Sequence, residues 1–126
     1  MDYILLIGAG FNFIGGVSII GSIFIDYPFS FPSIRDAGAI NPPDYMLFRL
    51  FTAGTAFCFG SMYMYLYRHP EYAVPFLYFG MALKYWAFFA ALVASARYRL
   101  PKTILINFGC SNLLVAVLFT VYLLAR

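Results

Sequence analysis

Charge is scarce in this chain. Only 10% of its 126 residues are charged and 63% are hydrophobic, where soluble domains hold about 25% charged and roughly 45–50% apolar residues. That leaves too little polar surface to cover a soluble core. No basic run occurs, although the net charge is +3, so neither a nucleic-acid partner nor a polybasic lipid anchor is expected. The 2 cysteines, Cys58 and Cys110, form no C-x-x-C and no disulfide framework. Both fall in apolar runs, and the sequence suggests small packing residues. The single histidine, His69, sits in Arg68-His69-Pro70-Glu71, too few ligands for a metal site. No Ser/His/Asp set, phosphate loop or carboxylate pair lies in the hydrophobic runs, so no catalytic activity is expected. No asparagine opens an N-x-[ST] acceptor.

Hydrophobic length is abundant. Four runs, near 3–25, 45–67, 74–96 and 102–125, are each long enough for a helix to cross a ~30 Å hydrocarbon core. Two short turns join the second to the third and the third to the fourth, which predicts an all-α, four-transmembrane-helix, up-down-up-down bundle in one domain. The first run has Asp2 as its only early charge and is too long for the apolar part of a leader, so it reads as a span. Gly8-Ala9-Gly10 begins like a dinucleotide fingerprint, but Phe13 stands where its third glycine belongs. The connection 26–44 holds Pro28, Pro32, Pro42 and Pro43 among Tyr27, Phe29, Phe31 and Ile34. It reads as a non-helical loop lying along the membrane interface or against a partner, or folded back on the bundle. The tyrosines of Met62–Tyr67 read as interface-belt residues.

Small residues recur at helical spacing in every run. Gly8, Asn12, Gly15 and Gly16 share one face. So do Arg49, Ala53, Ala56 and Gly60, then Gly80, Lys84, Ala87, Ala91 and Ala94, and finally Gly109, Asn112, Ala116 and Thr120. Such faces let membrane helices approach closely. Each also carries a polar residue. Lys84 matters most, because its Cα lies about 13 Å inside the nearer end of its run, beyond the reach of snorkelling. An ionisable residue at that depth is a functional candidate by default. Arg49 sits only one turn inside and reads first as an interfacial anchor at a helix–helix contact. Asn12 matches Lys84 in depth, Asn107 matches Arg49, and Asn112 lies near the middle. At 100° per residue, Asn107 points roughly 140° away from Asn112. The amides are expected to bond across helices. All 5 carboxylates, Asp2, Asp26, Asp36, Asp44 and Glu71, lie outside the apolar runs. Lys84 is therefore expected to meet an acid from outside the chain, or within it to bond Asn12, a tyrosine hydroxyl or a freed carbonyl.

The R-x-x-x-A stripe at Arg49 and the G-x-x-x-K stripe at Lys84, within the last three runs, resemble the DoxX-like group of small four-helix bacterial membrane proteins. The resemblance implies no function. The first functional expectation is an accessory, structural subunit of a larger membrane complex, packing through small-residue faces and the aromatic loop. The alternative is a self-contained bundle that binds or moves a hydrophobic ligand, lipid or proton through Lys84. Lys84, Asn12, Arg49 and Asn112 are the candidate ligand- or partner-binding residues. The expected partners are membrane lipids and other membrane subunits or copies of the chain. The sequence indicates no particular cofactor and leaves room for a lipid or hydrophobic one at the helix faces. The expected setting is a membrane of the bacterial inner-membrane type. Arg35, Arg97, Arg99 and Lys102 on one side favour both termini outside.

Overall fold

The computed structural model describes residues 2–25 and 42–126, with side chains from residue 46 onward in the second segment. Among the described residues there are long helices and no strand. Helix α1 is Tyr3–Gly21, α2 is Pro42–Arg68, α3 is Ala73–Tyr98 and α4 is Lys102–Leu124. A short 3-10 turn, Pro70–Tyr72, leads into α3. Three stretches are long and apolar enough to cross a membrane: Tyr3–Gly21, Pro70–Tyr98 and Lys102–Leu124. Helix α2, with Arg49, Thr52, Thr55 and Ser61 along it, is not among them.

The helix bounds depart from the hydrophobic runs for local reasons. Helix α1 stops at Gly21 although Ile23, Phe24 and Ile25 continue the apolar run. The Ser22 hydroxyl folds back onto Ile19 O at 2.7 Å, and Arg49 takes the Ser22 carbonyl (see below). Helix α2 begins at Pro42, so the last residues of the expected loop are its first turn. Prolines fit there because first-turn N–H groups have no helical partner. The rest of that loop, 26–41, lies outside the described residues. Helix α3 ends at Arg99, whose φ of 57° is left-handed, while Leu100 N–H reaches back to Ala94 O at 3.1 Å, a Schellman-type closure.

Helix α1 packs along α2 and α3 along α4, in two antiparallel hairpins. The register of the first is marked by Gly60 against Asn12 and Phe13, and by Gly16 against the Phe57 ring. That of the second is marked by Gly109 against Ala91 and by Tyr85 and Thr120, whose hydroxyls are 2.8 Å apart. The hairpins meet most tightly at the end that holds both termini. Ile4, Leu5, Tyr63, Leu66, Leu77, Val115, Phe119 and Tyr122 form one buried cluster there. Asp2 closes that end, accepting from Arg126 at 2.8 Å and from the Tyr122 hydroxyl at 3.2 Å.

Two sequence expectations fail in this packing. Tyr63 is not a belt residue. It is fully buried, its ring edge-on to Phe119 at 4.8 Å between centroids, and its hydroxyl has no partner among the described residues. The backbone of Gly80 makes the room, since a Cβ there would lie 2.6 Å from the Tyr63 hydroxyl. Tyr65 and Tyr67, by contrast, are exposed. Cys58 and Cys110 are also exposed. They face outward because the inner positions of their helices are taken by Gly60 and Gly109, both buried.

Candidate functional site

Away from the terminal cluster the hairpins do not close completely. A recess of about 270 Å³ lies between them. Helix α1 lines it with Phe11, Asn12, Gly15 and Ser18, α2 with Thr52, Thr55 and Ala56, and α3 with Leu83, Lys84 and Ala87. From α4 come Ile104, Asn107, Phe108, Ser111 and Asn112. Phe11, Ile14, Thr52 and Asn107 belong to the lining and are exposed, so the recess reaches the outer surface along a stretch from the middle of α1 toward the end of the bundle away from the termini. Small residues explain the space. Nothing lies within 4 Å of a Cβ built on Gly15, and Ala56 and Ala87 stand where longer side chains would fill the gap.

Lys84 lies at the inner wall and is only 7% exposed. Its Nζ donates to Asn12 Oδ1, a bond between α3 and α1 and hence between the hairpins. Asn12 is itself buried, and its Nδ2 donates to Ala56 O on α2 at 3.1 Å. One amide thus connects three helices. Asn12 and Lys84 can meet because they lie at equal depth on α1 and α3, which run in the same direction, with α2 antiparallel beside them. Of the partners the sequence permits Lys84 within the chain, Asn12 is the one it takes. Among the described residues no carboxylate lines the recess. Asp2 is bonded at the terminal end, and Glu71 is 3.5 Å from His69 in the turn before α3.

Asn107 and Asn112 line the same recess, against the expectation that they diverge. The cause is a π turn, Leu105–Cys110, inside α4. In such a turn the hydrogen bond runs from i to i+5, so residues 107 and 112, five apart, return to one side. Sequence periodicity assumes 100° per residue and cannot register the change. Asn112 also departs from expectation in its bond. Its Nδ2 donates to Phe108 O at 2.7 Å within its own helix, where the Ser111 hydroxyl donates too, at 3.1 Å. The widened turn brings both side chains onto one carbonyl.

Arg49 is buried, 5% exposed, but it is not part of the recess lining. Its Nη1 donates to Ser22 O at 3.1 Å and to Ser22 Oγ at 3.3 Å. A guanidinium on the last carbonyls of a helix satisfies groups with no helical donor and faces the negative end of the dipole. Arg49 therefore fastens the start of α2 to the end of α1. Arg49→Leu is expected to destabilise the purified chain by about 2 kcal/mol, the usual scale for hydrogen bonds to a charged group. Thermal unfolding in detergent measures this. An unchanged midpoint would mean that Ser22 and Arg49 are equally well served by water or headgroups.

Among the described residues no group of three metal-ligating side chains forms. The recess sets a buried amine and carboxamide on its inner side, with Phe11, Ile14, Thr52 and Asn107 at its exposed edge. No protein-family model matches the chain, and comparisons with curated proteins and with solved structures returned no match.

Proposed function

We propose that this chain is a four-span membrane bundle that binds a small membrane-resident molecule in the recess beside Lys84. The observation that carries the reading is the recess itself. It is lined by Asn12, Lys84, Asn107 and Asn112 from three helices and is open to the surface at Phe11 and Ile14, halfway along α1, where an inserted bundle would meet hydrocarbon. Ligand sites are concave, mostly apolar and fixed by a few placed polar groups. The three candidate spans support insertion. Helix α2 completes the fourth crossing because Arg49, its one central charge, is turned inward onto Ser22. Lipid then meets its outward Leu47, Phe48, Leu50 and Phe51.

The accessory-subunit reading has its own support. Gly54, Cys58 and Ser61 form an exposed line on α2, and nothing lies within 4 Å of a Cβ built on Gly54. A neighbouring helix would find close approach there. The small faces read from the sequence offer it less, since Gly8, Gly16, Gly60, Gly80 and Gly109 already pack within the chain.

Native mass spectrometry of the particle extracted in mild detergent separates the two. Ligand binding predicts the chain, or copies of it, carrying a retained small molecule. Ala87→Phe, which places a ring in the recess, is expected to abolish that retention. A large multi-protein particle with no small molecule on this chain would overturn the reading in favour of the accessory subunit.

A further inference from the structure

We infer that the molecule held in the recess is a single-chain amphiphile with one anionic headgroup, a carboxylate or phosphate monoester, seated on Lys84. The inference rests on the binding reading above and names its ligand class.

The donor inventory comes first. A lysine ammonium has three N–H donors and no acceptor. Asn12 Oδ1 takes one. Three of the lining hydroxyls are committed to backbone carbonyls, Thr52 to Phe48 O, Thr55 to Phe51 O and Ser111 to Phe108 O, while Ser18 adds a fourth hydroxyl to the lining. Asn12 and Asn112 have each used one amide N–H on a carbonyl. The inner wall therefore keeps spare donors on Lys84 and on two carboxamides. A carboxylate or phosphate is the matching acceptor-only group, with several lone pairs in a small volume.

Charge makes the same selection. A buried cation is tolerated when it is paired. The described residues bring no carboxylate to this recess, so an anionic ligand supplies the missing charge where a ketone or alcohol would not.

Size and access select the chain. The recess, at about 270 Å³, falls just below the roughly 300–1,000 Å³ of pockets that enclose a drug-sized ligand. It accommodates a headgroup and the start of one chain, and the remainder must lie outside. Phe11 and Ile14, exposed on α1 beside the mouth, lead that chain onto the lipid-facing surface. The π turn of α4 contributes Asn107 and Phe108 to the lining, and π turns inside helices concentrate at functional sites.

The test uses the purified full chain in a neutral detergent with three probes of equal chain length: hexadecanoate, hexadecyl phosphate and hexadecanol. Acetate and inorganic phosphate serve as chain-free competitors. At least one acid is expected to bind about 10- to 100-fold more tightly than the alcohol, as a charge-assisted hydrogen bond implies, and the tighter of the two identifies the headgroup. Lys84→Met is expected to erase that margin, so that the acids bind no more tightly than hexadecanol. Acetate and phosphate are expected not to displace the chain-bearing acid. Equal binding of all three probes to the unaltered chain overturns the inference and needs no variant that must fold. Displacement by acetate or phosphate overturns it too, because the chain would then contribute nothing. If no probe binds while Ala87→Phe still expels a co-purified molecule, the anionic amphiphile is wrong and the recess reading survives. If no probe binds and Ala87→Phe expels nothing, both fall.

Discussion

Asn12→Leu is expected to destabilise the bundle by about 3 kcal/mol, and Lys84→Met in the same chain is expected to recover most of that loss. Leucine has nearly the shape of asparagine, so the close contact of residue 12 with Gly60 persists. What disappears is the acceptor for Lys84 Nζ. A buried amine without a partner bears its full desolvation cost, more than the net worth of the bond it lost. The bond from Asn12 Nδ2 to Ala56 O matters less, since a carbonyl inside α2 keeps its helical donor. Lys84→Met alone removes the amine but leaves the buried Asn12 Oδ1 without its donor, so it is expected to cost about 1–2 kcal/mol, less than a stranded amine. The double variant replaces a polar pair by two apolar groups of similar volume, often a neutral exchange. Unfolding of all four proteins in one detergent gives the cycle. If Asn12→Leu is no more harmful than Lys84→Met, the amine finds water or another acceptor, and Asn12 is not what holds it.

The helices were legible in the sequence because their lengths and apolarity are properties of composition. The packing faces were legible too, since Gly8, Asn12, Gly60, Gly80, Lys84 and Gly109 recur at helical spacing and are buried. Equal depth on the parallel helices α1 and α3 put Asn12 among the partners open to Lys84, beside a tyrosine or an acid from outside, but did not choose between them. What periodicity could not reach was backbone irregularity. The π turn at Leu105–Cys110 brings Asn107 and Asn112 together, and no residue type announces it. The early end of α1 had a similar cause. Hydropathy continues through Ile25, while the stop is made by the Ser22 hydroxyl and by Arg49, 27 residues away in sequence. Tyr63 was misjudged because its ring matches a belt residue in type and place. Only the facing Gly8 and Gly80 reveal that a tyrosine fits inside.

The same small-residue faces do opposite things at the two ends of the bundle. Toward the termini, Gly8 and Gly80 are filled by the rings of Phe119 and Tyr63, and the hairpins lock. Beyond Lys84, nothing lies within 4 Å of a Cβ on Gly15, and with Ala56 and Ala87 it lines the recess that is left. A rigid half thus supports an open half. Lys84 and Asn12 stand at the border, where one hydrogen bond both joins the hairpins and forms the inner wall of the site.

That division leads to the second large effect. Gly8→Val is expected to destabilise the chain by about 3 kcal/mol, at the upper end for an overpacked core, while Gly10→Ala, two residues away, is expected to stabilise it by roughly 0.4–1 kcal/mol. A Cβ on Gly8 would lie 2.5 Å from Phe119 Cζ and 2.8 Å from Cε1, far inside van der Waals contact. Phe119 has nowhere to go. It is fully buried, and its ring stands edge-on against Tyr63, whose own hydroxyl lies on the backbone of Gly80. The strain would therefore pass through the ring pair to α3 and separate the hairpins. Helix propensity offsets little, since valine exceeds glycine by only a few tenths of a kcal/mol. At Gly10 nothing lies within 4 Å of the added Cβ, so alanine only restricts the unfolded chain. Phe119→Leu is expected to rescue Gly8→Val in part by withdrawing the ring tip. Thermal unfolding of the four variants decides it. Equal behaviour of Gly8→Val and Gly10→Ala would mean that α1 and α4 are not in contact at this height, and the locked half of the bundle would have to be redrawn.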